Sequence, residues 1–186
     1  HVLFRRQRQM CIRDRCYVDA NNGELLMRIN TVLYEAPPIA NVHVEGEVYS
    51  THPFNPSSVE DFASLRVQKN GSNYYTDNLG NVNVPGTGNA TFSLEGLFAE
   101  VQTNNNTPSF TSNLSNTNVT FDNSNSTIQE RTAFYAVNQI HDHLKSVFPT
   151  FTGLDYAIET NIDVQVSCNA YYNGTINFYA EGNGCN

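Results

Sequence analysis

At 186 residues the chain has room for one or two domains. A formal net charge of −8 argues against binding to nucleic acid or acidic membranes, and no apolar run approaches the ~20 residues of a membrane span. The modest apolar fraction and abundant Asn, Ser and Thr favour a β-rich, loop-rich protein over a helical one.

Residues 1–15 stand apart. Arg5 to Arg15 reads Arg-Arg-Gln-Arg-Gln-Met-Cys-Ile-Arg-Asp-Arg, which resembles the translation of a sequencing-library adapter and is set aside as a non-native segment. The other reading is a natural basic arm for nucleic acid or anionic lipid. Five of the ten Lys and Arg and one of the eighteen acids lie in this run, so the remainder holds five bases against seventeen acids, net −12. A body that acidic suits a soluble secreted protein.

Over residues 16–36, Tyr17-Val18-Asp19-Ala20 and Glu24 to Ile29 flank Asn21-Asn22-Gly23, with Gly placed to take a positive φ. That pattern predicts a hairpin. Ala36-Pro37-Pro38 then breaks regular structure and reads as a linker.

Residues 37–125 predict a β-sandwich-like module and an Asn/Ser/Thr-rich loop. Val42, Val44 and Val48-Tyr49 alternate as a half-buried strand does; Leu65 to Gln68 alternates again. Tyr74 to Val82 reads strand, turn, strand. Phe92, Leu94, Leu97, Phe98 and Val101 predict two strands about Gly96. Asp77, in the turn, suits an Asx-turn better than a calcium site. Residues 103–126 read as a long loop with one strand at Val119-Thr120-Phe121. The Asn-x-Ser/Thr sequons at Asn105, Asn113, Asn118 and Asn125 are what chance gives in so Asn-rich a stretch.

One helix is predicted. Thr127-Ile128-Gln129-Glu130 fits a capping box, apolar residues recur at 133, 134, 137, 140, 144, 147 and 148, and Pro149 marks the end. His141 and His143 lie on it, but residues two apart point about 200° apart, which argues against a shared metal. One His is expected to flank the apolar stripe while the other faces water.

The last stretch has the form of a hairpin: Tyr171-Tyr172, the turn Asn173-Gly174, and Ile176 to Tyr179. An Asn-Gly pair is expected to take positive φ at both central positions. Cys168 and Cys185 flank the hairpin and are candidates for a disulfide; two free thiols are the alternative.

Asn169-Ala170-Tyr171-Tyr172-Asn173-Gly174, the short apolar strand Ile176-Asn177-Phe178-Tyr179, and Gly182 and Gly184 resemble the substrate-binding edge strand of thermolysin-like and fungalysin-like zinc metallopeptidases. The helix pattern from Arg131 to Leu144 resembles the family helix that precedes that strand. Tyr-Val-Asp-Ala-x-x-Gly-Glu, from Tyr17 to Glu24, is similar to the closing hairpin of the propeptides (FTP/PepSY-like) that precede such enzymes. The resemblance implies a secreted zinc metalloendopeptidase: a propeptide tail at 16–36, a β-rich module at 37–125, and at 126–186 the N-terminal part of a catalytic domain. The fold it implies is α+β, mostly β, with one long helix packed on a β-sheet. Asn169 would bind substrate main chain, Ala170 would offer its backbone groups, and Tyr171 would form an aromatic wall.

No His-Glu-x-x-His occurs in the chain, so the zinc ligands and the catalytic half are expected elsewhere, and this part alone is expected to be inactive. Calcium is doubtful, because Asn183 stands in the Gly-rich run where relatives use acids. The other reading is a secreted β-sandwich binding or adhesion module without catalysis.

Overall fold

A computed structural model describes residues 14–19, 22–30, 36–167 and 169–180. The chain divides into two compact units, His1–Pro37 and Pro38–Asn186.

The first unit is a hairpin of β1 (Asp14–Val18) and β2 (Leu25–Asn30), antiparallel from Asp14↔Asn30 to Val18↔Leu25. Gly23 takes φ +76, a conformation open to a residue without Cβ, and its N–H donates to the Asp19 carbonyl at 2.8 Å. Leu25, Leu26 and Met27 are exposed. Asp14 and Arg15, which close the basic run, pair with Asn30 and Ile29.

The second unit is mostly β, with one helix packed on its sheets. Its first sheet is centred on β3 (Ile39–Val48). Residues 39–43 pair antiparallel with β7 (Asn81–Pro85), and 45–48 pair with β4 (Ser58–Asp61). β11 (Asn118–Phe121) runs parallel to 43–46.

The larger sheet contains β5 (Leu65–Lys69), β6 (Ser72–Tyr75), β8 (Asn89–Gly96), β9 (Ala99–Thr103), β10 (Ser109–Asn113), β12 (Ile158–Ser167), β13 (Ala170–Tyr172) and β14 (Ile176–Ala180). Its order is β13-β14-β12-β9-β8-β5-β6, with β10 paired to β8. β6 and β7 are consecutive yet belong to different sheets, so the turn between them hands the chain across the core.

The two sheets share one apolar interior. Val42, Val44 and Val48 alternate inward on β3, and Val82 and Val84 do so on β7. They meet Leu65, Val67, Phe92 and Leu94 of the other sheet. Phe110 of β10 and Phe121 of β11 touch edge to face with ring centroids 4.8 Å apart, joining the sheets. Each such side chain contributes about 1.5–3 kcal/mol by leaving water. Gly46 makes room for this packing, since a Cβ there would lie 2.4 Å from the Phe62 ring.

Helix α1 (Ile128–Val147) carries the expected capping box: Glu130 N–H donates to Thr127 Oγ1 at 3.2 Å, and Thr127 N–H donates to Glu130 Oε2 at 2.7 Å. It packs on β3, β8, β9 and β12, with Phe134 against Phe62 at 5.5 Å.

Two expectations need correction. The predicted long loop at 103–126 contains β10, whose single inward apolar residue, Phe110, was too faint a signal among Ser, Thr and Asn. The helical stripe also does not run as predicted. Ala133, Phe134 and Val137 are buried, but Ile140, Val147 and Phe148 are exposed, and the inward face continues through Asn138 and His141. Asn138 is accommodated because its Nδ2 donates to the Phe134 carbonyl at 2.9 Å.

Candidate functional site

β13 ends its sheet. It pairs antiparallel with β14 alone among the described residues, while β14 runs parallel to β12 and β12 parallel to β9. The ladder fixes which backbone groups are free. Tyr179 N–H donates to the Asn169 carbonyl at 2.9 Å, and Asn173 N–H to the Thr175 carbonyl at 3.2 Å. Hydrogen-bonded pairs alternate in an antiparallel ladder, so Tyr171↔Asn177 is the bonded pair between them. Ala170 and Tyr172 therefore turn their N–H and C=O groups to the open edge.

The three predicted substrate residues lie together here, and all are exposed. Asn169 Oδ1 accepts from the Ala170 N–H at 2.8 Å, covering one of the outward donors. Tyr171 leans edge-on against Tyr179 with centroids 5.5 Å apart. Tyr172, on the other face, is 65 % exposed. Its nearby hydroxyl raises the Tyr156 phenol above the ordinary range.

The turn differs from expectation. Gly174 has φ +108, but Asn173 does not enter the left-handed region, and three residues, 173–175, separate the paired Tyr172 and Ile176. The Asn173 side chain explains this. Its Oδ1 accepts from Thr175 Oγ1 at 3.0 Å, from Asn177 Nδ2 at 3.2 Å and, more weakly, from Thr175 N–H at 3.4 Å. The tight Asn-Gly turn with both φ positive occurs instead at Asn70 (φ 49) and Gly71 (φ 80), joining β5 to β6.

An amide relay continues inward from the turn. Asn177 is buried, and its Oδ1 accepts from Asn161 Nδ2 at 3.1 Å; the same Asn161 nitrogen also reaches Glu159 Oε1 at 3.0 Å. Asn161 and Asn177 face each other in register across β12 and β14. Asp163, with φ 57, lies where that register shifts. Asn161, Asp163 and Asn177 help line an open polar cleft of about 330 Å³.

Behind the hairpin, the connector after α1 is tied to the helix. His141 is buried, stacks on Phe98 and brings Nε2 within 3.1 Å of Asp155 Oδ1. Its Nδ1 lies 3.1 Å from Asp142 Oδ1. Lys145 Nζ donates to Asp155 Oδ2 at 2.9 Å and to the Phe151 carbonyl at 2.7 Å. The hydrogen bonds from Lys145 and His141 hold the Asp155 carboxyl below its usual range. His143 is exposed, so the two histidines divide as the helical spacing predicts.

The described residues do not assemble a zinc centre. Both ring nitrogens of His141 face carboxylates of the helix and connector. His43 Nε2 is 3.2 Å from Asp61 Oδ1 and its Nδ1 3.3 Å from Asn81 Oδ1. Among the described residues no three His, Cys, Asp or Glu converge to hold a metal. Asp77 acts as an Asx-turn residue, its Oδ1 accepting from Leu79 N–H at 2.9 Å and Asn81 N–H at 2.8 Å. Cys168, Cys185, Gly182, Asn183 and Gly184 lie outside the described residues, and with them the disulfide and the calcium-loop expectations.

Sequence reasoning missed the amide relay and the Tyr156–Tyr172 pair. Neither has a local signal, because both join residues 16 positions apart. Comparison of the chain with protein-family models, with curated proteins and with solved structures gave no match.

Proposed function

We propose that this chain carries the substrate-strand portion of a secreted zinc metalloendopeptidase, and that β13 receives an extended peptide along its open edge. The observation that carries the reading is the edge position of β13, with the main-chain groups of Ala170 and Tyr172 turned outward. Such an edge holds any extended peptide by main-chain pairing, and flanking side chains add preference. In this role Asn169 leaves the Ala170 N–H and binds substrate main chain, Ala170 supplies its N–H and C=O, and Tyr171 walls the adjoining subsite. Hydrolysis needs a zinc-activated water held by residues this chain does not contain, so the chain alone cleaves no peptide.

The exposed Ile140, Val147, Phe148 and Phe151 support the same reading. Leu144, Phe148, Thr150 and Phe151 line an open, largely apolar hollow of about 590 Å³, the kind of surface a neighbouring catalytic half would cover.

The test is titration of the isotope-labelled chain with extended peptides, followed by amide NMR. Shifts confined to Ala170, Tyr172 and their β14 neighbours, and weakened by Asn169→Ala, are expected. Peptides that leave the Ala170 and Tyr172 amides unmoved would sink the substrate-strand role. A second reading, a β-sandwich binding module without catalysis, draws on one observation: the two sheets enclose a common core without help from another chain.

A further inference from the structure

We propose that Asn173–Gly174 is a self-modifying site, at which the Asn173 amide is converted to a carboxylate through a cyclic imide. The proposal is independent of the peptidase reading and rests on the geometry of the hairpin tip.

The reaction needs only water. The Gly174 backbone nitrogen, having lost its proton to solvent base, attacks Asn173 Cγ. A tetrahedral intermediate forms with negative charge on Oδ1. It collapses with loss of the side-chain nitrogen, protonated, as ammonia, leaving a five-membered succinimide. Water then adds to either imide carbonyl and opens the ring to aspartate or isoaspartate. The net change is amide plus water giving acid plus ammonia, with no oxidant or reductant.

Three features favour this chemistry at Asn173. First, the nucleophile is open. Gly174 has no side chain, nothing lies within 4 Å of where its Cβ would be, and its N–H makes no hydrogen bond among the described residues. Second, the electrophile is polarised. Oδ1 is surrounded by the Thr175 hydroxyl at 3.0 Å, the Asn177 amide at 3.2 Å and the Thr175 N–H at 3.4 Å. Donors already aimed at an oxygen that gains charge stabilise the transition state without reorganising. The Asn177 donor is itself fixed by burial and by the bond from Asn161 to its Oδ1. Third, the product fits. The same three donors bind a carboxylate more strongly than an amide oxygen.

Of the three other Asn-Gly pairs, Asn183–Gly184 lies outside the described residues, and Asn22–Gly23 and Asn70–Gly71 provide controls within the same molecule. Among the described residues Asn22 Oδ1 accepts one hydrogen bond, from Glu24 N–H at 2.9 Å. The Asn70 side chain accepts none among the described residues, and its backbone is locked in the tight turn with φ 49.

The experiment incubates the full chain in mildly alkaline buffer and follows conversion at the three sites by peptide mass mapping with isoaspartate detection. Asn173 is expected to convert fastest. Thr175→Val, which removes the hydroxyl donor, should slow Asn173 by about fivefold, the rate equivalent of one net hydrogen bond, while Asn70 keeps its parental rate. Thr175→Ser should restore the parental rate, which a generic loosening of the hairpin would not do. Conversion of Asn70 as fast as Asn173 overturns the proposal, as does a Thr175→Val rate equal to the parent's.

Discussion

Arg131 is completely buried, a rare position for a charge. Each nitrogen of its fork nevertheless donates a hydrogen bond. Nε donates to the Glu47 carbonyl at 2.7 Å, Nη1 to the Ser126 carbonyl at 2.6 Å, and Nη2 to Asn123 Oδ1 at 2.9 Å. One side chain thus joins the end of β3, the loop after β11 and the first turn of α1. Arg131→Met removes all of these bonds, and should cost about 1.5–3 kcal/mol in urea unfolding, the range for a hydrogen bond to a charged group. Arg131→Lys should recover little, because an ammonium cannot reproduce the planar fork.

Asp77 shows the opposite balance. Its carboxyl is held below the usual range chiefly by the Asn81 N–H; burial opposes this, and the Leu79 N–H adds to the lowering. A depressed carboxylate contributes stability above its unfolded pKa and loses it as pH falls through the folded one. Asp77→Asn should therefore cost under about 1 kcal/mol at neutral pH, given solvent screening. The gap between parent and variant urea midpoints should close as the pH is lowered into the acid range.

Among the elements, α1 couples local chemistry to packing. Its capping box is local, and Thr127→Ala should cost about 1 kcal/mol, measured as a lower thermal midpoint. Glu130 serves twice: while Oε2 closes the box, Oε1 accepts from the Thr103 hydroxyl of β9 at 2.5 Å. The same carboxylate thus starts the helix and docks it. At the far end, Lys145 and His141 fasten the connector through Asp155. Within the larger sheet, Gly96 lets β8 approach the residue that leads into β5, for a Cβ there would meet the Ser64 carbonyl at 2.0 Å.

For the second unit taken whole, surface and core have different status. Phe62, Phe92, Phe121 and Phe134 are fully buried, whereas Phe148 and Phe151 are 58 % and 47 % exposed. Replacing the latter pair, Phe148→Ser with Phe151→Ser, should lower binding of a dye that reports apolar surface. The unfolding midpoint should move little, since exposed positions contribute about 0.5 kcal/mol or less. If the parent chain binds no such dye, the view of this face as a covered surface in a larger assembly loses its support, and the self-contained binding module gains.

The amino-acid sequence alone determined what depends on neighbours along the chain. The β1–β2 hairpin follows from a Gly placed for positive φ, the Asx-turn at Asp77 from a short carboxylate two residues before its donor, and the helix start from Thr127 and Glu130. The division between buried His141 and exposed His143 follows from helical spacing. Alternation on β3 and β7 announced half-buried strands. Only the tertiary structure decided what depends on distant partners. Asn161 of β12 fixes the Asn177 amide that, with Thr175, holds Asn173 out of the tight turn its dipeptide favours. Burial of His141 against Phe98 and Asp155 draws the helix face away from Ile140. The open edge of β13 is likewise a property of sheet order, which no stretch of three residues encodes. The physical reason is common to all three: a side chain's local preference is worth about 1 kcal/mol, and a few hydrogen bonds or buried contacts from elsewhere in the fold exceed it.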